Sequence, residues 1–187
     1  MGIFFQMYRY KKFLNKDAKI TLCESVVLSQ FNYCDTVYSN MDICLEKKIQ
    51  KIQNICVRFI FNYRMKDKCD HDTLRQQLNW LNMKNRRITH GLTMIYKILN
   101  GLAPDYLRDS FTLTSEIHNI NTRRRAKNSI WISKNNTSKL HQKSYTVYMA
   151  KIFNDLPENI QKAVSVNAFK QAIKKHILSG KLVLPNN

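Results

Sequence analysis

Glycine is scarce in this chain, and its scarcity removes a class of chemistry. Four glycines among 187 residues can hardly build a phosphate-cradling loop, and neither a Walker-type pattern nor Gly-x-Gly-x-x-Gly occurs. Prolines number only 3, so the tight turns of an all-β protein are also undersupplied, and helix is the expected state. No segment approaches the roughly 18 uninterrupted apolar residues of a membrane span. The opening Met1-Gly2-Ile3-Phe4-Phe5 is too short for a signal-peptide core, and Gln6 stands where a myristoylation signal wants Ser or Thr. The 5 cysteines (Cys23, Cys34, Cys44, Cys56, Cys69) are odd in number and widely spaced. That pattern fits reduced thiols better than a disulfide framework, and points to an intracellular protein, nuclear or cytoplasmic and not secreted.

Catalytic groupings are missing as well. The acidic residues are sparse and scattered, and no paired-carboxylate motif of a nuclease, glycosidase or polymerase stands out. His118, His141 and His176 each lack a nearby carboxylate in sequence, and His90 reads as part of a polar helix face beside Arg86 and Arg87. Cys69-Asp70-His71-Asp72 concentrates four metal-ligand types, but no second Cys/His pair lies at zinc-finger spacing. Helix capping accounts for it better. No metal and no cofactor is expected.

What the chain does have is core-forming material and positive charge. Apolar residues make up 44% of it, with 9 Phe, 9 Tyr and 2 Trp, which argues against disorder. Periodicity predicts a helix over 17–31, with Asp17 as N-cap and Ile20, Cys23, Val27 and Phe31 on one face. Over 43–61, Leu45, Ile49, Ile52, Cys56 and Phe59 recur at spacings of 4, 3, 4 and 3, a single stripe. Asp72 is expected to cap a short helix carrying Leu74, Leu78 and Leu81. A helix over 84–100 should bury Ile88, Leu92, Ile95 and Leu99, ending at Gly101 with Pro104 beyond it. Ile130-Trp131-Ile132 reads as a short strand. Helix returns over 143–154 with Tyr145, Tyr148 and Ile152, stopping at Leu156-Pro157. In the last helix Ser165 is the cap, Phe169, Ile173 and Ile177 face inward, and Lys170, Lys174 and Lys175 face out. The expected fold class is mainly α: an amphipathic helical bundle with at most a short β element near 128–133.

Lys and Arg number 31 against 13 Asp and Glu, a net charge of +18 and a field that attracts polyanions. AT-rich codons also favour Lys, Asn and Ile, so the placement of the charges decides. On the 43–61 helix, Lys47, Lys51 and Arg58 fall on one line, with Lys48 beside them, off the apolar stripe. Arg86 and Arg87 border the next long helix. Arg123, Arg124, Arg125 and Lys127 form the densest group, near Trp131. Flexible cations beside an aromatic are what phosphate neutralisation and base stacking require, although charge runs often only solvate a face.

Several segments carry a family resemblance. Phe31-Asn32-Tyr33-Cys34-Asp35-Thr36-Val37-Tyr38-Ser39-Asn40, ahead of an amphipathic helix, resembles the stretch just after the palm in reverse transcriptases of non-LTR, jockey-like (LINE-type) retrotransposons. Leu78-Asn79-Trp80-Leu81 with Arg86-Arg87 is similar to that family's Leu-x-Trp-Leu block and basic pair. Tyr96-Lys97-Ile98-Leu99-Asn100-Gly101-Leu102-Ala103-Pro104-Asp105-Tyr106-Leu107 matches its C-terminal signature. Asn121-Thr122-Arg123 fits an Asn-Thr-Arg motif, and Phe153-Asn154-Asp155-Leu156-Pro157-Glu158-Asn159-Ile160, then Ser165 and Phe169-Lys170, fit the final pattern in order. The likeness spans about residues 8 to 180. Phe153 stands where a Trp is usual, and Met149-Ala150 replaces a common Gly-containing pair.

The resemblance implies a division into a thumb-like segment, 1–64, and a C-terminal region, 65–187. It also implies polymerase chemistry elsewhere in the parent, on palm carboxylates that bind two metal ions, and no Tyr-x-Asp-Asp type motif occurs in this chain. The expectation is a truncated C-terminal fragment of an RNA-directed DNA polymerase, non-catalytic by itself. Its partner would be RNA or DNA, bound without sequence preference. No membrane partner is expected, and apolar surface left uncovered would invite self-association. The alternative is a helical protein-interaction module, host-adopted or degenerate, whose basic faces serve only solubility.

Overall fold

The computed structural model describes residues 2–38, 41–117, 129–132, 138, 141, 144–180 and 182, with only the backbone of 2–5. It is mainly helical, as the scarcity of glycine and proline predicts. In chain order come α1 (Gly2–Tyr10), α2 (Lys16–Leu22), a π-helical stretch (Cys23–Leu28), α3 (Ser29–Asn32), α4 (Ile43–Ile60), α5 (His71–Gln77) and α6 (Met83–Leu99). A 3₁₀ segment (Asp105–Ser110), α7 (Thr114–Ile117), α8 (Tyr145–Asp155), α9 (Glu158–Gln161) and α10 (Val166–Leu178) follow. Among the described residues the expected β element is one antiparallel bridge, Leu113 to Ile130. Asn154 clamps that bridge, accepting from Ile130 N at 2.8 Å and donating to Ile130 O at 2.9 Å.

The chain divides into two compact units, Met1–Asp35 with Met41–Arg86, and Thr36–Asn40 with Arg87–Asn187. The core of the first gathers Cys23, Val27 and Leu28 from the π-helical stretch, Cys56, Val57, Phe59 and Ile60 from α4, and Leu74, Trp80 and Met83. Trp80 is buried with its indole N–H satisfied, donating to Glu24 Oε1 at 2.8 Å. All five cysteines are free thiols. Cys23 and Cys56 lie together in this core, and their hydrogen bond plus burial push the Cys56 thiol far up from its ordinary value. Thiols buried in apolar surroundings are inert, so these two serve packing.

Local rules explain where the helices begin and end. Asp42 caps α4 through Cys44 N, and Ser165 caps α10 through Ala168 N. Two caps fall two residues earlier than the sequence pattern indicates. Asn15, not Asp17, accepts from Ala18 N and starts α2; Asp70, not Asp72, accepts from Asp72 N and starts α5. Each pair offers two capping side chains, and the one whose backbone is extended takes the role. Leu78 and Leu81 consequently lie beyond the end of α5, whose buried residue is Leu74. The C-termini of α4, α5 and α6 share one device. Asn62, Asn79 and Gly101 adopt positive φ, and Tyr63, Trp80 and Leu102 donate back to Arg58, Arg75 and Lys97 carbonyls.

The second unit buries Ile88, Leu92, Ile95, Tyr96 and Ile98 of α6 against a core that includes Met149, Ile152 and Phe153 of α8 and Phe169, Ile173 and Ile177 of α10. Leu99, expected on the buried face, is only half-buried. Tyr96 stacks on Phe169 at 4.3 Å between ring centroids and donates its hydroxyl to Ala163 O at 2.5 Å. Gly91 lets Met149 approach so closely that a Cβ there would meet its sulfur at 2.8 Å, while Tyr145 donates to Gly91 O at 3.0 Å. On α10, Lys170 and Lys175 are exposed as expected and Lys174 is half-buried.

Candidate nucleic-acid interface

A phosphate contact needs an ammonium or guanidinium that is exposed, flexible and not already engaged. Helix α4 satisfies this in its first half. Lys47, Lys48 and Lys51 are exposed, and no ion pair among the described residues engages them. Their exposure follows from the helix's own periodicity. The buried positions of α4 are Gln53, Cys56, Val57, Phe59 and Ile60, so packing is concentrated in its C-terminal half. The N-terminal half stands clear, with Leu45 of the expected stripe exposed and Ile49 and Ile52 half-buried. Gln50 and Gln53 hold the middle of the helix in place, Gln50 Oε1 accepting from Met83 N at 2.9 Å and Gln53 Nε2 donating to Leu81 O at 2.8 Å.

Arg58, placed by its spacing on the same line, is taken up internally. Its Nη1 donates to Arg64 O at 2.7 Å and Asp67 O at 2.9 Å, and its Nε donates to His71 Nε2 at 3.0 Å. The loop after α4 leaves carbonyls without helical partners, and a guanidinium supplies several donors in one plane. Burial, Arg58 and Arg75 together hold the His71 imidazole below its ordinary pKa, against the opposing pull of Asp70. Arg58→Ala is therefore expected to lower stability by about 1.5–3 kcal/mol, measured by urea unfolding, because two carbonyls lose a charged donor. The salt dependence of nucleic-acid binding should be unchanged by it. A lowered salt slope with unchanged stability would show that Arg58 faces phosphate instead.

The basic pair on α6 is also engaged inside the protein. Arg86 is half-buried, its Nε donating to Asn32 Oδ1 at 2.7 Å, and burial lowers its guanidinium's pKa against the pull of Glu24 and Asp35. Arg87 is 2% exposed, so it cannot reach a phosphate in this fold. Both were expected at the surface because they border the apolar stripe of α6; tertiary packing reaches past that stripe and covers them. Arg123, Arg124, Arg125 and Lys127 lie outside the described residues. Trp131, which follows them in sequence, is 39% exposed.

The Cys69-Asp70-His71-Asp72 cluster is a helix start. Asp70 caps α5 and accepts from Thr73 Oγ1 at 2.5 Å, while Cys69 Sγ lies 3.5 Å from His71 Nε2. Among the described residues no group of three or more His, Cys, Asp or Glu could hold a metal ion. No helix among them is long and apolar enough to cross a membrane.

A second cationic group, not singled out from sequence, surrounds the end of α4. Lys11 donates to Tyr63 O at 3.4 Å, Lys19 donates to Asn62 Oδ1 at 2.8 Å, and Lys16 lies over the Phe61 ring at 4.5 Å. The adjacent Arg9-Tyr10-Lys11-Lys12 run carried its signal. Several motif positions are likewise structural: Asn32 receives Arg86, Asn79 ends α5, Tyr96 stacks on Phe169, and Asn154 clamps Ile130. In comparisons with known proteins, no family model, no curated protein and no solved structure matches the chain.

Proposed function

We propose that this chain is a nucleic-acid-backbone-binding piece of a retrotransposon-type reverse transcriptase, drawn from the region that follows the palm and non-catalytic by itself. The observation that carries the binding reading is the exposed lysine face of α4, Lys47, Lys48 and Lys51, on a chain of net charge +18. The ordered sequence likeness over about residues 8 to 180 supplies the family part of the reading. Lysine ammoniums on a helix neutralise phosphates without reading bases, so RNA and DNA backbones are both suitable ligands. The compartment that goes with this role is nuclear or cytoplasmic.

Titrating the full chain into labelled duplexes and single strands at rising salt tests the binding reading. Affinity should fall steeply, log K losing about 0.9 per phosphate contact on duplex DNA for each tenfold rise in salt. Binding that is absent, or insensitive to salt, rejects it. Primer extension by the pure chain on any template would reject the non-catalytic part.

One observation favours a second reading, a protein-interaction module. Ile43 and Leu45, in the first turn of α4, are 58% and 50% exposed, an apolar pair beside the lysine face. Under that reading, sedimentation would show self-association that Ile43→Ser with Leu45→Ser abolishes, and charge reversal on α4 would leave nucleic-acid retention unchanged.

A further inference from the structure

The turn that joins α1 to α2 displays residues that a merely solvated surface would not need. Helix α1 ends at Tyr10, and the chain then passes through two tight turns, Lys11 N donating to Tyr8 O at 3.3 Å and Phe13 N to Tyr10 O at 3.0 Å. Both ends of the turn are anchored inward. Tyr8 packs edge-on against Phe59 with ring centroids 5.4 Å apart, and Leu14 packs against the core of the first unit. The residues between these anchors are turned to solvent: Tyr10 is 62% and Phe13 84% exposed, with Arg9, Lys12 and Lys16 exposed beside them.

One exposed aromatic is ordinary. Two within four residues, interleaved with cations, leave aromatic area in water and forgo its burial free energy. The cations are also crowded. Burial lowers the pKa of the Lys11 ammonium, and Lys19 and Arg64 lower it further, with Asp67 opposing them. The Asp67 carboxylate already accepts from Arg64 N at 2.6 Å, and the other acid on this stretch is exposed Asp17. A polyanion relieves such crowding. A duplex keeps its base faces inside its own stack, whereas a single strand offers them to exposed rings.

We propose that the Arg9–Lys16 turn is a single-stranded nucleic-acid site, Tyr10 and Phe13 stacking on bases while Arg9 and Lys12 meet the adjoining phosphates. The proposal rests on the nucleic-acid reading of the chain but uses residues distinct from the α4 face. Anisotropy titrations of the full chain with oligo-dT and oligo-U of roughly 20 nucleotides, and with a duplex of equal length, test it. Tyr10→Ala and Phe13→Ala should each weaken both single strands by about tenfold, with Phe13→Trp restoring affinity and duplex binding unchanged. Arg9→Gln with Lys12→Gln should lower the single-strand salt slope by about 1.4. All four side chains are exposed, and circular dichroism checks that the variants fold.

Unchanged single-strand affinity in Phe13→Ala, with duplex binding intact in the parent chain, overturns this site and leaves the α4 face standing. Equal losses for duplex and single strand overturn stacking. If neither oligonucleotide binds the parent chain, this proposal falls together with the nucleic-acid reading. A loss of binding in Phe13→Ala confined to phosphatidylcholine vesicles with about one quarter phosphatidylserine would reassign the turn to a membrane surface.

Discussion

Replacing Lys47, Lys48 and Lys51 together by Glu is expected to lower the chain's affinity for a DNA duplex at least about 100-fold near 0.1 M salt. Each phosphate contact releases condensed counterions, and its loss costs roughly eightfold at that salt. Reversal adds repulsion to the loss of three contacts. The fold should survive the change, since all three side chains are exposed and the buried positions of α4 begin at Gln53. Glutamate also suits the first half of a helix, whose amino end carries partial positive charge. Anisotropy measures the affinity, and circular dichroism verifies the helix content. Unchanged affinity in a folded variant would remove α4 from the interface.

Phe169→Ala should be the most destabilising single change in the second unit, at about 3–5 kcal/mol. The ring is fully buried, stacked on Tyr96 at 4.3 Å and 6.3 Å from Phe153. Removing it leaves a cavity among side chains from α6, α8 and α10 and ends an aromatic contact that adds about 0.5–1.5 kcal/mol to its burial. The neighbouring Lys170→Ala, on the exposed side of α10, should change stability by less than about 0.5 kcal/mol. Urea unfolding of the two variants separates them. Equal shifts would mean that α10 does not pack through Phe169.

Burial and periodicity made much of this fold readable in advance. Phe169, Ile173 and Ile177 on α10 recur at helical spacing because one side of that helix meets a core, and the stripe Ile88, Leu92 and Ile95 of α6 lies within a wider buried surface that also takes in Arg87, Thr93 and Tyr96. Gly101 and Ser165 mark helix ends whose geometry admits few residues. The misplaced caps have a simple cause: Asn15 and Asp17, like Asp70 and Asp72, are both good caps, and backbone conformation chooses between them. The cationic residues divide by a property that sequence spacing does not carry. Lys47 and Arg58 lie on one line of one helix, yet a loop folds back over Arg58 and leaves Lys47 in water. Arg86 and Arg87 were legible as basic; Asn32, 54 residues away, is what draws Arg86 inward. The Arg9–Lys16 turn went unread because its meaning depends on Tyr8 and Leu14 anchoring its two ends, a tertiary fact.

The central claim is that the α4 lysine face binds the nucleic-acid backbone through phosphate neutralisation. The most direct measurement is the slope of log K against log salt for one duplex, taken on the parent chain and on Lys47→Gln with Lys48→Gln and Lys51→Gln. Glutamine keeps length and helix propensity while removing charge. The account predicts a slope shallower by about 2.7 in the variant, the share of three phosphate contacts. Equal slopes in two folded, duplex-binding chains would contradict it.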